Sequence, residues 1–176
     1  MFTKILVSID HSDMTQHVVD EAVSLAKATG GSLMFLHIIS PLDEPYFDSL
    51  FMQPTVLYTE LHSEAHKKNL SDWEKYKQDK ENWLRSLCES ATSSGVKTEF
   101  TLNIGNPTSR ICDIASAWDA SVIVIGRRGR RGFTELLLGS VSNYVIHHAP
   151  CSVLTVQGTN ISTTEASQNQ QAETSN

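Results

Sequence analysis

The feature of this sequence that most constrains its fold is a regular alternation of short apolar runs with longer amphipathic segments. The apolar runs lie at residues 2–9, 32–39, 96–102, 121–125 and 152–156. Most of them are apolar at nearly every position, as is typical of strands buried on both faces of a parallel sheet. Strands joined through helices form βαβ units with right-handed crossovers. The alternation therefore predicts an α/β fold, a doubly wound five-stranded parallel sheet with helices on both faces.

Residues typical of helix starts and ends separate the five runs. The predicted N-terminal caps are Ser12 or Asp13 for the first helix, Ser71 with Glu74 for the second, Asn106 with Pro107 for the third, and Gly139 with Ser140 for the fourth. Gly30, Gly95 and Pro150 are predicted to end helices. Four helices thus alternate with the five strands.

The length of 176 residues suits about one domain. We interpret residues 1–157 as that domain, with a long excursion at about residues 41–69, part of it helical, where three prolines blur the pattern. Residues 158–176 are mostly Thr, Ser, Asn, Gln and Glu. Because they offer too little apolar surface to offset the entropy of ordering, they are predicted to form a disordered polar tail.

Basic residues are concentrated in one segment of an otherwise acidic chain. Lys and Arg number 14 against 20 Asp and Glu, a net charge of −6 that argues against a surface built for nucleic acid or an anionic membrane. Four arginines, Arg127, Arg128, Arg130 and Arg131, lie within residues 126–132, which contain no acidic residue. That loop carries +4 and the rest of the chain −10, so the sequence predicts a local anion site.

The cysteines and histidines indicate neither disulfides nor a metal. Cys88, Cys112 and Cys151 lie far apart and lack Cys-x-x-Cys spacing. Together with the lack of an export-signal pattern or a membrane-length apolar run, they predict a reducing, cytoplasmic location. His62 and His66 are one helical turn apart, but no third ligand accompanies them, so a solvated helix face is favoured over a zinc site.

Other imidazole and indole side chains are assigned to packing. His37 falls in a buried strand and is predicted to be a satisfied core residue. Trp73 and Trp83 lack basic residues interleaved at a matching spacing, so they are interpreted as packing or interface groups rather than a base-stacking platform. His147 and His148 come at the end of the last helix, where a protonated imidazole suits the helix dipole.

The segment from Gly126 to Ser142 carries the strongest chemical signal. Gly126 and Gly129 lack side chains, so backbone N–H groups there can approach a phosphate closely. Gly139 and Ser140 open a helix, whose unpaired N–H groups and dipole favour anions. The arginines between these positions can balance the charge. These residues predict a phosphate-binding loop between the fourth strand and the last helix.

The spacing G-x2-G-x9-G-[S/T], formed by Gly126, Gly129, Gly139 and Ser140, resembles the nucleotide-binding motif of the ATP-binding branch of the universal stress protein family. The segments KILVSIDHS, FLHII and APCSVLTV look like that family's first, second and last strands, so the resemblance covers residues 2–157. It implies a Rossmann-like fold of the universal stress protein type. It also implies a stress-response regulatory protein in which an adenine nucleotide, ATP or else ADP or AMP, with Mg²⁺ as a further candidate, acts as a conformational switch.

The resemblance assigns a role to each matching residue. Asp10 would accept hydrogen bonds from the ribose hydroxyls. Ile9 and Ile38 would contact the adenine and its sugar. The base and phosphate side would be lined by Ile125, Gly126, Arg127 and Gly129, and the phosphates would be received by Gly139, Ser140, Val141 and Ser142. The family also implies a homodimer in which the exposed fifth strand, Val153 to Val156, pairs with its copy, since an apolar edge strand needs a cover.

Other interpretations of the same residues stay open at this point. Gly126 and Gly139 are also typical of ordinary turns and caps, and Asp10 of a helix entry. A slow ATP hydrolase is a second function, although no lysine precedes Ser140 as in a Walker A loop and no catalytic residue is predicted. Nucleic-acid binding through the arginine-rich loop is a third, disfavoured by the acidic remainder of the chain.

Overall fold

The computed structural model describes residues 1–40, 64–127 and 138–157. In chain order the elements are β1 (Lys4–Ser8), α1 (Thr15–Thr29), β2 (Ser32–Ile39), α2 (Glu64–Ser93), β3 (Thr98–Ile104), α3 (Pro107–Ala117), β4 (Val122–Gly126), α4 (Ser140–His148) and β5 (Ser152–Val156). The strands form a parallel sheet in the order β3-β2-β1-β4-β5. The predicted doubly wound α/β fold is confirmed.

The helices cover the two faces of the sheet in pairs. On one face, Val19 of α1 and Leu84 of α2 share a core with Phe35 of β2. On the other face, Ile111 of α3 and Val145 of α4 share a second core with residues of the same central strands. Because neighbouring residues of a strand point to opposite faces, a strand between two cores must be apolar at every position. This is the physical origin of the nearly continuous apolar runs.

α1 begins differently from its prediction. Its N-cap is Met14, which makes no side-chain capping hydrogen bond, so the prediction that Ser12 or Asp13 caps this helix is wrong. The Ser12 hydroxyl instead donates to Asp10 Oδ1 at 2.6 Å. A hydroxyl that bonds a neighbouring carboxylate is diverted from the first turn of the helix. The other end follows the prediction, since Gly30 ends the helix with a left-handed φ of 67°.

α2 begins at Glu64 rather than near Ser71. The predicted capping box of Ser71 and Glu74 is therefore wrong, because both residues lie inside the helix. The residues from Glu64 to Ser71 are mostly strong helix formers, but their apolar residues do not recur at helical spacing. Helix propensity therefore extends the helix over residues for which hydrophobic periodicity predicted none. The remainder of the predicted excursion, residues 41–63, lies outside the described residues. Trp73 is buried in this helix, as the packing interpretation predicted.

β3 and β4 are displaced toward the C-terminus from their predicted ranges, 96–102 and 121–125. The displacement matters for β4, because Gly126 is the last residue of the strand and pairs with Val156 of β5. The loop that follows β4 therefore begins at Arg127.

The start of α3 follows its prediction. Asn106 is the N-cap with an extended backbone, and Pro107 is the first residue of the helix, where its missing N–H is not needed. Asn106 Oδ1 accepts hydrogen bonds from the Thr108 N–H at 3.0 Å and from the Thr108 hydroxyl at 2.7 Å. One side chain thus satisfies two donors at the exposed helix end.

We expect Asn106→Ala to lower the free energy of unfolding by about 1 kcal/mol, the usual contribution of an N-cap. Asn82→Ala, on the exposed face of α2, is the matched control. It removes the same side chain inside a helix, and the better helix propensity of alanine offsets the loss of the exposed hydrogen bond from Gln78, so stability should change by only about 0.3 kcal/mol. Urea denaturation of both variants measures the difference, and equal stabilities would contradict the assigned cap.

Candidate functional site

The predicted site residues converge where β1 lies between β2 and β4. Ser8, the last residue of β1, is opposite Leu36 of β2 on one side and opposite Ile125 of β4 on the other. Asp10 follows shortly after, at the carboxyl end of the sheet. Strand order runs outward from β1 in both directions, so the gap between β1 and β4 is the switch point at which open α/β sheets bind ligands.

The three isoleucines predicted to contact a base fall on two faces of the sheet. Ile125 is buried in the core beneath α3 and α4, and the half-buried Ile38 packs against the same core. Ile9 is buried in the opposite core, with α1 and α2. The structure therefore brings Ile38 and Ile125 to one face, and any contact that Ile9 makes on that face is through its main chain.

Asp10 is held in place by the turn that follows β1. Its Oδ1 accepts the hydrogen bond from the Ser12 hydroxyl, and its carbonyl oxygen accepts one from the Thr15 hydroxyl. The Ser12 N–H in turn donates to Thr15 Oγ1 at 3.3 Å. The half-buried carboxylate is thus oriented at the strand end. An ionised carboxylate has about four acceptor positions, so the Ser12 bond leaves room for further donors.

Main-chain and hydroxyl hydrogen bonds hold the start of α4 against the end of β4. The Arg127 N–H donates to the Val156 carbonyl at 2.7 Å, and the Gly139 N–H donates to the Arg127 carbonyl at 3.0 Å. The Ser142 hydroxyl lies 3.1 Å from both the Gly126 and the Arg127 carbonyl oxygens, and its side chain is buried. Ser142 therefore joins the two sides of the predicted cradle, a role that its place in the motif did not reveal.

α4 presents its N-terminus at the same edge of the sheet. Gly139 is the N-cap with φ −58° and ψ 152°, a conformation open to any residue, and it makes no side-chain cap. The first-turn N–H groups, those of Ser140, Val141 and Ser142, have no acceptor within the helix. Ser140 is exposed and Val141 half-buried. These N–H groups and the helix dipole form a site suited to an anion.

Part of the predicted loop, namely Gly129 and the arginines that follow Arg127, lies outside the described residues. Two other predicted features also lie outside them, His62 and the tail at 158–176. Within residues 1–40, 64–127 and 138–157, no group of three or more His, Cys, Asp or Glu side chains is arranged to hold a metal ion. Over the same part of the chain, no helix is both long and apolar enough to cross a membrane.

A cluster of two imidazoles and an indole lies beside Asp10. The prediction that His37 is a satisfied core residue is confirmed, since it is 2% exposed and its Nδ1 lies 2.9 Å from the Ile9 carbonyl oxygen. The Trp83 ring of α2 lies 5.3 Å from the His37 ring and 4.3 Å from the His11 ring. Sequence reasoning gave His11 no role. The alternation of side chains along β2 could have indicated this cluster, because His37 lies on the same face of the sheet as Phe35, and α2 packs on that face.

The three cysteines are free thiols in environments that keep them protonated. Burial, with the nearby Glu99 carboxylate as a second cause, raises the pKa of Cys88 to about 11. Burial also raises the pKa of Cys112 and of Cys151. A thiol is a nucleophile only as its thiolate, so none of these cysteines is prepared for covalent chemistry at neutral pH. A cytoplasmic location stays a prediction.

Sequence comparison relates the chain to one family over nearly its whole length. The model described as the universal stress protein family matches residues 1–157. Universal stress protein Sll1388 of Synechocystis sp. is 34% identical over 159 residues, which cover 89% of this chain and 98% of the relative. Universal stress protein YxiE of Bacillus subtilis is 33% identical, with 89% and 100% covered.

Solved structures show the same fold. The hypothetical protein MJ0577 superposes with a TM-score of 0.71 at 22% identity, covering 91% of this chain and 99% of that one. A universal stress protein in complex with cAMP gives 0.57 at 21%, with 90% and 98% covered. The universal stress protein from Archaeoglobus fulgidus in complex with dAMP gives 0.53 at 24%, with 88% and 97% covered. Likeness at these identities establishes the fold.

Proposed function

Because the chain belongs to the universal stress protein family, we propose that it binds an adenine nucleotide at the carboxyl ends of β1 and β4. The proposed ligand is ATP, or else ADP or AMP, with Mg²⁺ accompanying the phosphates. The observation that carries the proposal is the position of Asp10 and of the α4 N-terminus at the switch point of the sheet. The family structures with cAMP and dAMP support adenine-nucleotide recognition in general.

Each part of the nucleotide has a chemically matched group at this edge. The Asp10 carboxylate accepts hydrogen bonds from ribose hydroxyls, which are donors. The half-buried Ile38, which packs on the same face of the sheet as the buried Ile125, offers an apolar surface to the base. The N–H groups at the start of α4 receive phosphate oxygens, and the positive charge of Arg127 at the end of β4 favours the same anion.

We propose a regulatory role in the stress response, with the nucleotide as a conformational switch. The start of α4 and the end of β4 are joined by the hydrogen bonds of Gly139 and Ser142 to main-chain carbonyls. A phosphate bound between these segments would add its own contacts to both and so favour one arrangement of the two segments over others. The alternative is slow ATP hydrolysis. A turnover above about one per second, the low end of ordinary enzymes, would contradict both the regulatory role and slow hydrolysis.

The proposed function includes a homodimer formed through β5. This strand is an edge of the sheet, and its Leu154 side chain is 40% exposed. An unpaired apolar edge is a liability that pairing with a second copy removes. The isologous arrangement would continue the sheet from Val153 to Val156 of one protomer into its partner.

Asp10→Asn is the direct test of the ribose contact. We expect it to weaken ATP binding about tenfold, because hydrogen bonds to a charged acceptor contribute about 1.5–3 kcal/mol and the amide is uncharged. Asp13→Asn is the matched control, since it makes the same change at an exposed carboxylate three residues on and should leave affinity unchanged. Isothermal titration calorimetry measures both variants. Equal affinities for the two would remove Asp10 from the site.

A further inference from the structure

His37 lies next to the proposed site but on the far side of the sheet from the base. Its ring is buried with α2, whereas Ile38 and Ile125 belong to the core beneath α3 and α4. The His37 Nδ1 lies 2.9 Å from the Ile9 carbonyl oxygen. A carbonyl oxygen only accepts, so Nδ1 carries the proton in this hydrogen bond. The imidazole thus donates to the main chain immediately before Asp10.

The His37 bond is placed where the regular ladder between β1 and β2 ends. The Ile9 N–H still donates to the Leu36 carbonyl at 3.0 Å. Among the described residues, the Ile9 carbonyl receives no main-chain N–H, and the imidazole takes that place. The peptide between Ser8 and Ile9 is therefore oriented by a backbone bond to β2, and the peptide between Ile9 and Asp10 by a side chain of β2.

Trp83 holds both imidazoles that flank this peptide. Its ring meets His37 edge-on, at an interplanar angle of 87°, and lies tilted by 31° against His11, the residue after Asp10. Packing of this kind restricts a ring to one rotamer and so keeps the His37 donor aimed at the Ile9 carbonyl. Of the two neighbours of Asp10 in the chain, His11 thus packs on the indole of α2 directly, and Ile9 is linked to it through His37.

We propose that His37 is a positioning residue for Asp10. Through the Ile9 carbonyl, it fixes the turn that presents the Asp10 carboxylate to the ribose, and it sets nucleotide affinity without touching the nucleotide. The inference rests on the proposed function, because it requires Asp10 to bind ribose hydroxyls. It adds a residue that the binding motif does not contain.

The test compares ATP with 2′,3′-dideoxy-ATP, which lacks both ribose hydroxyls, by calorimetry on the full chain. His37→Gln carries its amide donor beyond the Nδ1 position. We expect it to weaken ATP binding about tenfold and to change dideoxy-ATP binding by less than about twofold, because only the carboxylate contact is misaligned. His37→Phe is the second variant if His37→Gln does not fold, since it fills the buried space against Trp83 and lacks the donor.

His37→Asn is the rescue variant. Its amide nitrogen falls near the place of Nδ1 and can donate to the Ile9 carbonyl, so ATP affinity should stay within about threefold of the wild type. In the Asp10→Asn background, His37→Gln should add less than about twofold, because the two residues act on one contact.

Three results would overturn the positioning role. The first is an equal loss of affinity for ATP and for dideoxy-ATP in His37→Gln. The second is a His37→Asn variant that binds ATP no more tightly than His37→Gln. The third is a double variant of Asp10→Asn and His37→Gln in which the two single-variant losses of ATP affinity multiply. Wild-type protein that binds neither nucleotide would instead refute the proposed function. A wild type that prefers ATP over dideoxy-ATP, with His37→Gln keeping that preference, would refute the His37 inference alone.

Discussion

Replacing Gly139 with valine is expected to weaken ATP binding about a hundredfold or more. A valine at the N-cap of α4 would add three carbon atoms beside the first-turn N–H groups, where the proposed phosphates bind. The loss of two hydrogen bonds to a charged phosphate, at about 1.5–3 kcal/mol each, corresponds to a change of that size. The fold should survive, because Gly139 has φ −58° and valine adopts this conformation without strain.

Asn143→Val is the matched control for this change. It introduces the same β-branched side chain on the exposed surface of α4, one turn after the N-cap. It should leave ATP affinity unchanged and change the stability of the helix little, because asparagine and valine have similar helix propensities. Calorimetric titration gives the affinities, and circular dichroism on heating shows that both variants are folded. An unchanged affinity in folded Gly139→Val would show that the phosphates do not bind at the start of α4.

Replacing Leu154 with glutamate is expected to convert a dimer into monomers. In the proposed dimer this side chain of β5, which is 40% exposed in one protomer, is buried against its symmetry mate, and burying that part of a leucine contributes about 0.6–1.2 kcal/mol per copy. The variant loses that contribution twice and sets two carboxylates near the two-fold axis, where like charges cost several kcal/mol more. We expect the dissociation constant of the dimer to rise by about a hundredfold or more.

Leu70→Glu is the control for the Leu154 variant. Leu70 on α2 is 43% exposed, nearly the same as the 40% of Leu154, so the two changes are alike in chemistry and in burial. Sedimentation velocity at micromolar concentrations should show dimers for the wild type and for Leu70→Glu, and monomers for Leu154→Glu. A monomeric wild type, or a Leu154 variant that stays dimeric, would contradict pairing through β5.

The strands were predictable because a strand that is buried on both faces has a nearly continuous run of apolar residues. β1, β2 and β4 are nearly continuous apolar runs, and each lies between two cores. The start of α2 was not predictable from its period, because residues 67–72 are exposed or half-buried and carry no apolar stripe. The cap of α1 failed for a different reason. Ser12 has the right residue type, but its hydroxyl is bonded to Asp10.

The site residues that belong to a sequence motif were predictable, whereas the contacts that depend on packing between distant elements were not. Asp10 and Gly139 stand out because a strand end and a helix start have recognisable residues. The contact between His37 and the Ile9 carbonyl joins residues 28 positions apart in the sequence, and Trp83 reaches them from the long helix that follows. No local pattern encodes such a meeting of three elements, so it required the fold.

The most direct test of adenine-nucleotide binding is a calorimetric titration of the wild-type protein with ATP, with Gly139→Val titrated in parallel. We expect heat that saturates at one ATP per chain for the wild type and is absent or strongly weakened for the variant. Wild-type protein that shows no saturable heat up to about 1 mM ATP, the limit of weak specific binding, would contradict adenine-nucleotide binding.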